Sequence, residues 1–232
     1  MNIRGFYKTS LIDYPKKICS VIFIGGCNFR CGFCHNPDIV FNSDINESVS
    51  EEFVYSHLQS RLKVIDAVTV TGGEPTLDPD LINFCEMLKQ MGLSLKLDTN
   101  GSNPRVIKYL LEKKLIDYCA VDVKTSPEKY NEITGGWSAV EKITETLSEL
   151  RNSSINFEVR TTCVPGFLTA EDMSSIKEWI SPVKNYYLQQ FTSSVNLINP
   201  EFALKNPFTK KYLNELLETA REIAPNTGLR GV

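Results

Sequence analysis

The 232-residue chain has almost no net charge: 25 Lys and Arg against 28 Asp and Glu leave −3. That balance offers no electrostatic footprint for nucleic acid or an anionic membrane surface, so neither is expected as a partner. A long greasy run is also missing. The longest, Ile18 to Ile24, is far too short to span a bilayer, and Met1 to Lys17 carries four Lys or Arg without the apolar core of a signal peptide. A cytoplasmic protein is expected. No repeat, low-complexity stretch or linker divides the chain, so residues 1–232 are read as a single domain, long enough to bury a large core. The seven cysteines are odd in number and have no secretory setting, which argues against disulfides. Cys19, Cys85, Cys119 and Cys163 sit among apolar neighbours and read as small core residues.

The other three cysteines are concentrated. Cys27-Asn28-Phe29-Arg30-Cys31-Gly32-Phe33-Cys34-His35-Asn36-Pro37 puts three thiols into eight residues. Thiolates at this C-x3-C-x2-C spacing can hold three corners of a [4Fe–4S] cube, and no fourth Cys lies nearby. One iron is then left open for a small molecule to chelate. A Cys3His zinc site using His35 is the alternative. Zinc ligands usually come as two pairs, however, and His35 directly follows Cys34, which makes it hard to wrap one ion.

Apolar, β-branched runs alternate with amphipathic stretches along the chain. Strands are expected at Ile18–Gly25, Ala67–Thr71, Leu93–Leu97, Tyr118–Val123, Ile155–Thr162 and Tyr186–Phe191, with helices between them and a last helix over Phe208–Ile223. Six such units predict an α/β fold with right-handed crossovers, a partial, open-sided (β/α)6 barrel. A flat, doubly wound sheet is the structural alternative. Arg230-Gly231-Val232 reads as a tail, and Val195–Asn206 carries no recognisable chemistry.

Ligand sites on parallel sheets lie at the carboxyl ends of the strands. Here each exit carries polar groups: the cysteines, then Gly72-Gly73-Glu74-Pro75, then Asp98 and Asn100, Asp122 and Lys124, Arg160, and finally Gln189 and Gln190. Each has a mundane reading as well. Gly72-Gly73 suits a tight turn, Asp98 an Asx-turn and Lys124 a solvated loop. Their shared location at one rim is hard to explain by packing. Glu74 and Arg160 are the charges that an amino acid's ammonium and carboxylate require, Arg being suited to a bidentate contact.

These motifs together resemble those of radical S-adenosylmethionine (SAM) enzymes: C-x3-C-x2-C, Gly-Gly-Glu-Pro, Asp-Thr-Asn-Gly and Asp-Val-Lys after the first four strands. More narrowly, Lys8-Thr9-Ser10-Leu11-Ile12-Asp13-Tyr14-Pro15, with Gly26 to Cys31 and Cys34-His35-Asn36-Pro37, resembles the activating proteins of anaerobic ribonucleoside-triphosphate reductase. The resemblance implies that Cys27, Cys31 and Cys34 hold one [4Fe–4S] cluster and that SAM chelates its open iron. It places Phe33 beside the adenine through backbone contacts, Gly72, Gly73 and Glu74 along the methionine amino group, and Arg160 facing SAM. Asp98, in the motif that also holds Asn100, and Asp122, in the motif that ends in Lys124, match residues that help to hold a monovalent cation near the SAM carboxylate.

The implied reaction is reductive cleavage of SAM and removal of a hydrogen from a glycine Cα of a partner enzyme, leaving a stored glycyl radical. Anaerobic ribonucleotide reductase is the implied partner, with a flavodoxin- or ferredoxin-type electron donor. Another glycyl-radical enzyme, or a small molecule as in deazapurine biosynthesis, is the alternative target. Some relatives place a His where this chain has Gln189 or Gln190.

Overall fold

In the computed structural model, which describes residues 1–41, 48–137, 139–193 and 196–232, all eight strands join one sheet. They are β1 (Ile3–Ser10), β2 (Cys19–Ile24), β3 (Ala67–Gly72), β4 (Ser94–Thr99), β5 (Tyr118–Asp122), β6 (Asn156–Cys163), β7 (Asn185–Gln190) and β8 (Asn226–Arg230). The helices are α1 (Pro37–Val40), α2 (Glu51–Arg61), α3 (Leu81–Gln90), α4 (Pro104–Glu112), α5 (Tyr130–Ile133), α6 (Val140–Asn152), α7 (Ala170–Ile180) and α8 (Lys210–Ala220). Local chemistry marks several helix starts. Ser50 Oγ accepts from the Phe53 N–H to cap α2, Pro104 opens α4, and Thr169 with Asp172 forms a reciprocal capping box on α7.

The six expected parallel strands form as β2 to β7. Two further strands extend the sheet: β1 pairs antiparallel to β2, and β8 pairs parallel to β7 from Asn185↔Asn226 to Gln189↔Arg230. The tail reading of Arg230 is therefore corrected, because that residue ends β8. Neither extra strand carries an apolar run, since each lies at an edge of the sheet and buries little.

Strand order follows chain order from β1 to β8. A doubly wound sheet needs a point where that order reverses. With no reversal, right-handed crossovers place the helices on one face, and the sheet curls with its other face inward. The outward residues are apolar and pack under the helices: Val68 and Val70, Leu95 and Leu97, Cys119 and Val121, Val159, Tyr186 and Leu188. Alternate residues face inward, as a period of two requires. At one end Tyr14, Cys19, Val21 and Ala67 pack together with Phe23 and Tyr118. Toward the carboxyl ends the inward residues become charged, and there the interior opens. No described helix is long and apolar enough to cross a membrane.

Candidate active site

A cavity of about 460 Å³ lies at the carboxyl ends of the parallel strands, large enough for a cofactor-sized ligand. Cys27, Cys31, Cys34, Phe33, Gly72, Gly73, Asp98, Asn100, Asp122, Lys124, Arg160, Gln189 and Gln190 all line it. Among the residues singled out in the sequence, Glu74 alone does not. His35, Asn36, Thr71, Thr99, Thr162 and Thr192 complete the polar lining.

The β2 exit runs straight into the cysteine loop, and two glycines let the β3 exit lie against it. Gly72 has φ +124°, and a Cβ there would stand 2.3 Å from Ile24 N; a Cβ on Gly73 would stand 2.0 Å from Gly26 O. The Gly73 N–H donates to Ile24 O (2.8 Å) and the Glu74 N–H to Gly26 O (2.8 Å). Glu74 then turns beneath the cavity floor, where it is 1% exposed. Its Oε1 accepts from the Thr76 N–H (3.1 Å), Thr76 Oγ1 (2.5 Å) and Thr99 Oγ1 (2.7 Å), and its Oε2 accepts from the Asn100 N–H (2.6 Å). Burial pushes its carboxyl above the ordinary value, against the pull of these four donors. Glu74 is a bracket between the exits of β3 and β4.

Asn28 ties the cysteine loop to the same bracket. Asn100 Nδ2 donates to Asn28 Oδ1 (2.9 Å), and Asn28 Nδ2 donates to Ser102 Oγ (2.9 Å). The Arg30 N–H donates to Thr134 O (2.8 Å). Burial pushes the Cys27 thiol up to about 11 and the Cys31 thiol up to about 12, with Cys34 raised for the same reason, while the Lys124 ammonium opposes the rise at all three. Loading a metal cluster as thiolates would therefore release protons.

The opposite wall is charged. Asp98 Oδ1 accepts from Lys96 Nζ (2.5 Å) and Asp98 Oδ2 from Arg160 Nη1 (3.0 Å). Asp122 Oδ1 accepts from Arg160 Nε (2.8 Å) and Asp122 Oδ2 from Lys124 Nζ (3.1 Å). Burial alone would raise Asp122, but Arg160 and Lys124 outweigh it and hold the carboxyl well below the ordinary range. Three cations pair with the two carboxylates, but Lys96 lies outside the cavity lining, so the four groups of the array that face the cavity balance in charge. All four carboxylate oxygens have cationic partners. Each oxygen has one such partner and a carboxylate offers about four lone-pair sites, so a monovalent cation between Asp98 and Asp122 would share these oxygens with Arg160 and the lysines.

The donor set fits a cluster better than a single ion. Three thiols share one cavity with room for an exogenous ligand, and no three His, Cys, Asp or Glu among the described residues converge closely enough to hold one metal ion. A cube spreads its ligands over separate irons, whereas zinc gathers four donors within about 2.3 Å.

The model of the Radical SAM superfamily matches residues 21–180. The chain belongs to the radical SAM superfamily. Along 99% of its length it is 34% identical to MJ1227 of Methanocaldococcus jannaschii, provisionally assigned as a glycyl-radical enzyme activating enzyme, and the match covers 96% of that protein. It is 27% identical over 93% of its length to the pyruvate formate-lyase-activating enzyme of Clostridium pasteurianum, covering 98% of it. Within the superfamily this radical SAM enzyme thus falls among the glycyl-radical activating enzymes. Among solved structures, SuiB of Streptococcus suis bound to SAM superposes with a TM-score of 0.69 at 13% identity, over 89% of this chain and 48% of SuiB. That likeness concerns the radical SAM partial-barrel fold alone. Membership in the superfamily implies a [4Fe–4S] cluster and SAM.

Asn28, Ser102 and the residues that press on the loop from the far side, Asn199 and Phe202, were not legible in advance. Asn28 lies inside the cysteine motif, and a polar residue between metal ligands was the one available signal.

Proposed function

We propose that this enzyme generates a glycyl radical on anaerobic ribonucleoside-triphosphate reductase, with Cys27, Cys31 and Cys34 as the cluster's three protein ligands. One observation carries the site assignment: three thiols, two close-approach glycines and a charged wall of Asp98, Asp122, Lys124 and Arg160 all face one cavity. When bound, the cluster and SAM together supply a carbon-centred radical able to abstract a hydrogen from a glycine Cα.

The chain's own residues bind, orient and exclude water. Gly72 and Gly73, by letting the β3 exit lie against Ile24 and Gly26, bring bare backbone to the amino group of SAM. Arg160 and Lys124, the cations of the array that line the cavity, suit its carboxylate. Phe33, buried at 6% exposure, offers its backbone to the adenine while its ring lies against Phe202. Glu74 acts on the methionine end indirectly, by fixing the backbone of Gly73 and Asn100. No proton transfer by a side chain is required, so the site's work is positioning.

The reductase is favoured as target by the segment Lys8 to Pro15, which resembles the reductase activators. It lies at the end of β1 and in the turn after it, with Leu11 and Ile12 at 72% and 89% exposure. A flavodoxin- or ferredoxin-type protein would supply the electron. The test is anaerobic reconstitution with iron, sulfide and dithionite, followed by mixing with the reductase. Methionine and 5′-deoxyadenosine should form, a glycyl-radical doublet should appear by electron paramagnetic resonance only when the reductase is present, and Cys31→Ala should abolish both. A doublet only with pyruvate formate-lyase would retain the activase and reject the reductase as target. Turnover of a small molecule without any doublet would reject both.

A further inference from the structure

Residues 196–206, between β7 and α8, carry no motif, yet they lie across the cysteine loop. The Asn199 N–H donates to Gly32 O (2.9 Å) and the Ile198 N–H to Cys34 O (3.3 Å). The Asn199 side chain caps the 3₁₀ turn Pro200–Leu204 by accepting from the Glu201 N–H (2.9 Å). This turn delivers Phe202, 8% exposed, onto the loop, with its ring centroid 6.4 Å from that of Phe33. The fit to Gly32 is close enough that a Cβ there would stand 2.6 Å from the Phe202 ring.

Phe202 also stacks on Phe167, with ring centroids 5.8 Å apart and planes 18° from parallel. Phe167 O in turn accepts from Thr125 Oγ1, on the residue after Lys124. A packed chain therefore runs from the cysteine loop through Phe33, Phe202, Phe167 and Thr125 to the β5 exit. The two ends of the loop are held differently. The Cys27 end is tied by Asn28, Asn100 and Ser102, whereas the Cys31–Cys34 end is held from outside by the strap that Phe202 anchors.

We propose that Phe202 is a positioning residue for the cluster and SAM. Through Gly32 and Phe33 it fixes the Cys31–Cys34 half of the loop, and through Phe167 and Thr125 it fixes that half relative to Lys124. The aromatic stack so sets the span across which SAM is held. The proposal rests on the reading of Cys27, Cys31 and Cys34 as cluster ligands with SAM at the open iron.

The test uses full-length, anaerobically reconstituted enzyme and three changes: Phe202→Ala, Phe202→Leu and Gly32→Ala. Wild-type enzyme that assembles its cluster and shows a SAM-dependent paramagnetic spectrum establishes the underlying reading separately, so that failure in the variants alone bears on Phe202. Phe202→Ala should weaken SAM binding by about 10–100-fold, the range seen when groups behind metal ligands are removed. It should also reduce the change that SAM produces in the spectrum of the reduced cluster. Hydrogen exchange should rise together at residues 31–36 and 124–126. Phe202→Leu, which keeps apolar volume and guards against loss of folding, should retain its iron and fall between the two.

Gly32→Ala should mimic Phe202→Ala, because the added methyl pushes the ring off the loop. Combining it with Phe202→Leu should recover SAM affinity relative to Gly32→Ala alone. Wild-type SAM affinity and an unaltered spectrum in Phe202→Ala would overturn the proposal. So would a double variant no better than Gly32→Ala.

Discussion

The two walls of the cavity are built from different chemistry. On the β2–β4 side, the cysteine loop, the glycine pair and Asn100 are joined by backbone and amide hydrogen bonds around one buried carboxylate, Glu74, whose partners are all neutral. On the β4–β7 side, Asp98 and Asp122 are held by Arg160 and two lysines. Neutral bonds contribute about 1 kcal/mol each and those to an ionised carboxylate about 1.5–3 kcal/mol, and they position backbone, whereas a buried ion-pair array stores large opposing terms. The first wall suits the close approach of SAM to backbone. The second suits a charge-bearing end of the ligand, and it should fail much more severely when one member is lost.

The largest expected effect follows from that asymmetry. Arg160→Ala leaves two partly buried carboxylates without the guanidinium that bridges them, and breaking a buried pair in this way costs about 3–5 kcal/mol. Urea denaturation should show a loss of that order, and SAM binding should fall with it. Arg160→Lys should recover only part of both, since an ammonium cannot reach Asp98 and Asp122 with the two-pronged geometry of Nε and Nη1. A destabilisation below about 1 kcal/mol for Arg160→Ala would erase the distinction between the walls.

The walls should also respond to pH with opposite sign. Asp122 is held below its ordinary 3.8, so its contribution is present above that value and is lost as pH falls through and below it. Glu74 is raised above its ordinary 4.5, so its contribution is present below that value and declines as pH rises from 4.5 toward its folded pKa. One group can change the slope of stability by at most about 1.4 kcal/mol per pH unit. Asp122→Asn should flatten the acid side of a stability–pH curve, and Glu74→Gln should flatten the decline above 4.5. The slope is the readout, because Glu74→Gln also faces an amide N–H₂ toward existing donors. Equal slopes in both variants and the wild type would sink the contrast.

How much of this was legible in the sequence depends on which face of each strand is considered. β2 to β7 were legible because strands covered by helices on one face carry near-continuous apolar residues. β1 and β8 were not, since residues such as Arg4, Lys8 and Asn226 on edge strands give no such run. At the site, residues at strand exits were found because each exit carries one. What could not be read was how they meet. Asp98, Asp122 and Arg160 lie on three different strands, and only the register that sets Asp122 opposite Arg160 lets one guanidinium span both carboxylates. Glu74 was expected along the methionine amino group, but its carboxylate is held beneath the cavity floor by Thr76, Thr99 and the Asn100 N–H. Asn199 and Phe202 sit in an aperiodic connection, where spacing carries no information about what the chain covers.

The smallest effect is the one that separates positioning from stability on the neutral wall. Asn28 is half-buried and makes two amide hydrogen bonds, to Asn100 and Ser102. Asn28→Ala removes both, but water can reach the freed groups, so the loss should be about 1 kcal/mol, or a fall of roughly 2–4 °C in Tm for a chain of this size. If the Asn28 link positions the Cys27 end of the loop, SAM binding should weaken in Asn28→Ala even though the fold is barely affected. A cycle with Asn100→Ala would then show strongly non-additive SAM affinities, because the two side chains share one bond. Additive affinities would mean that the Cys27 end of the loop is placed by its backbone contacts alone, through Gly26, Gly73 and Arg30, and that the amide link only seals the wall.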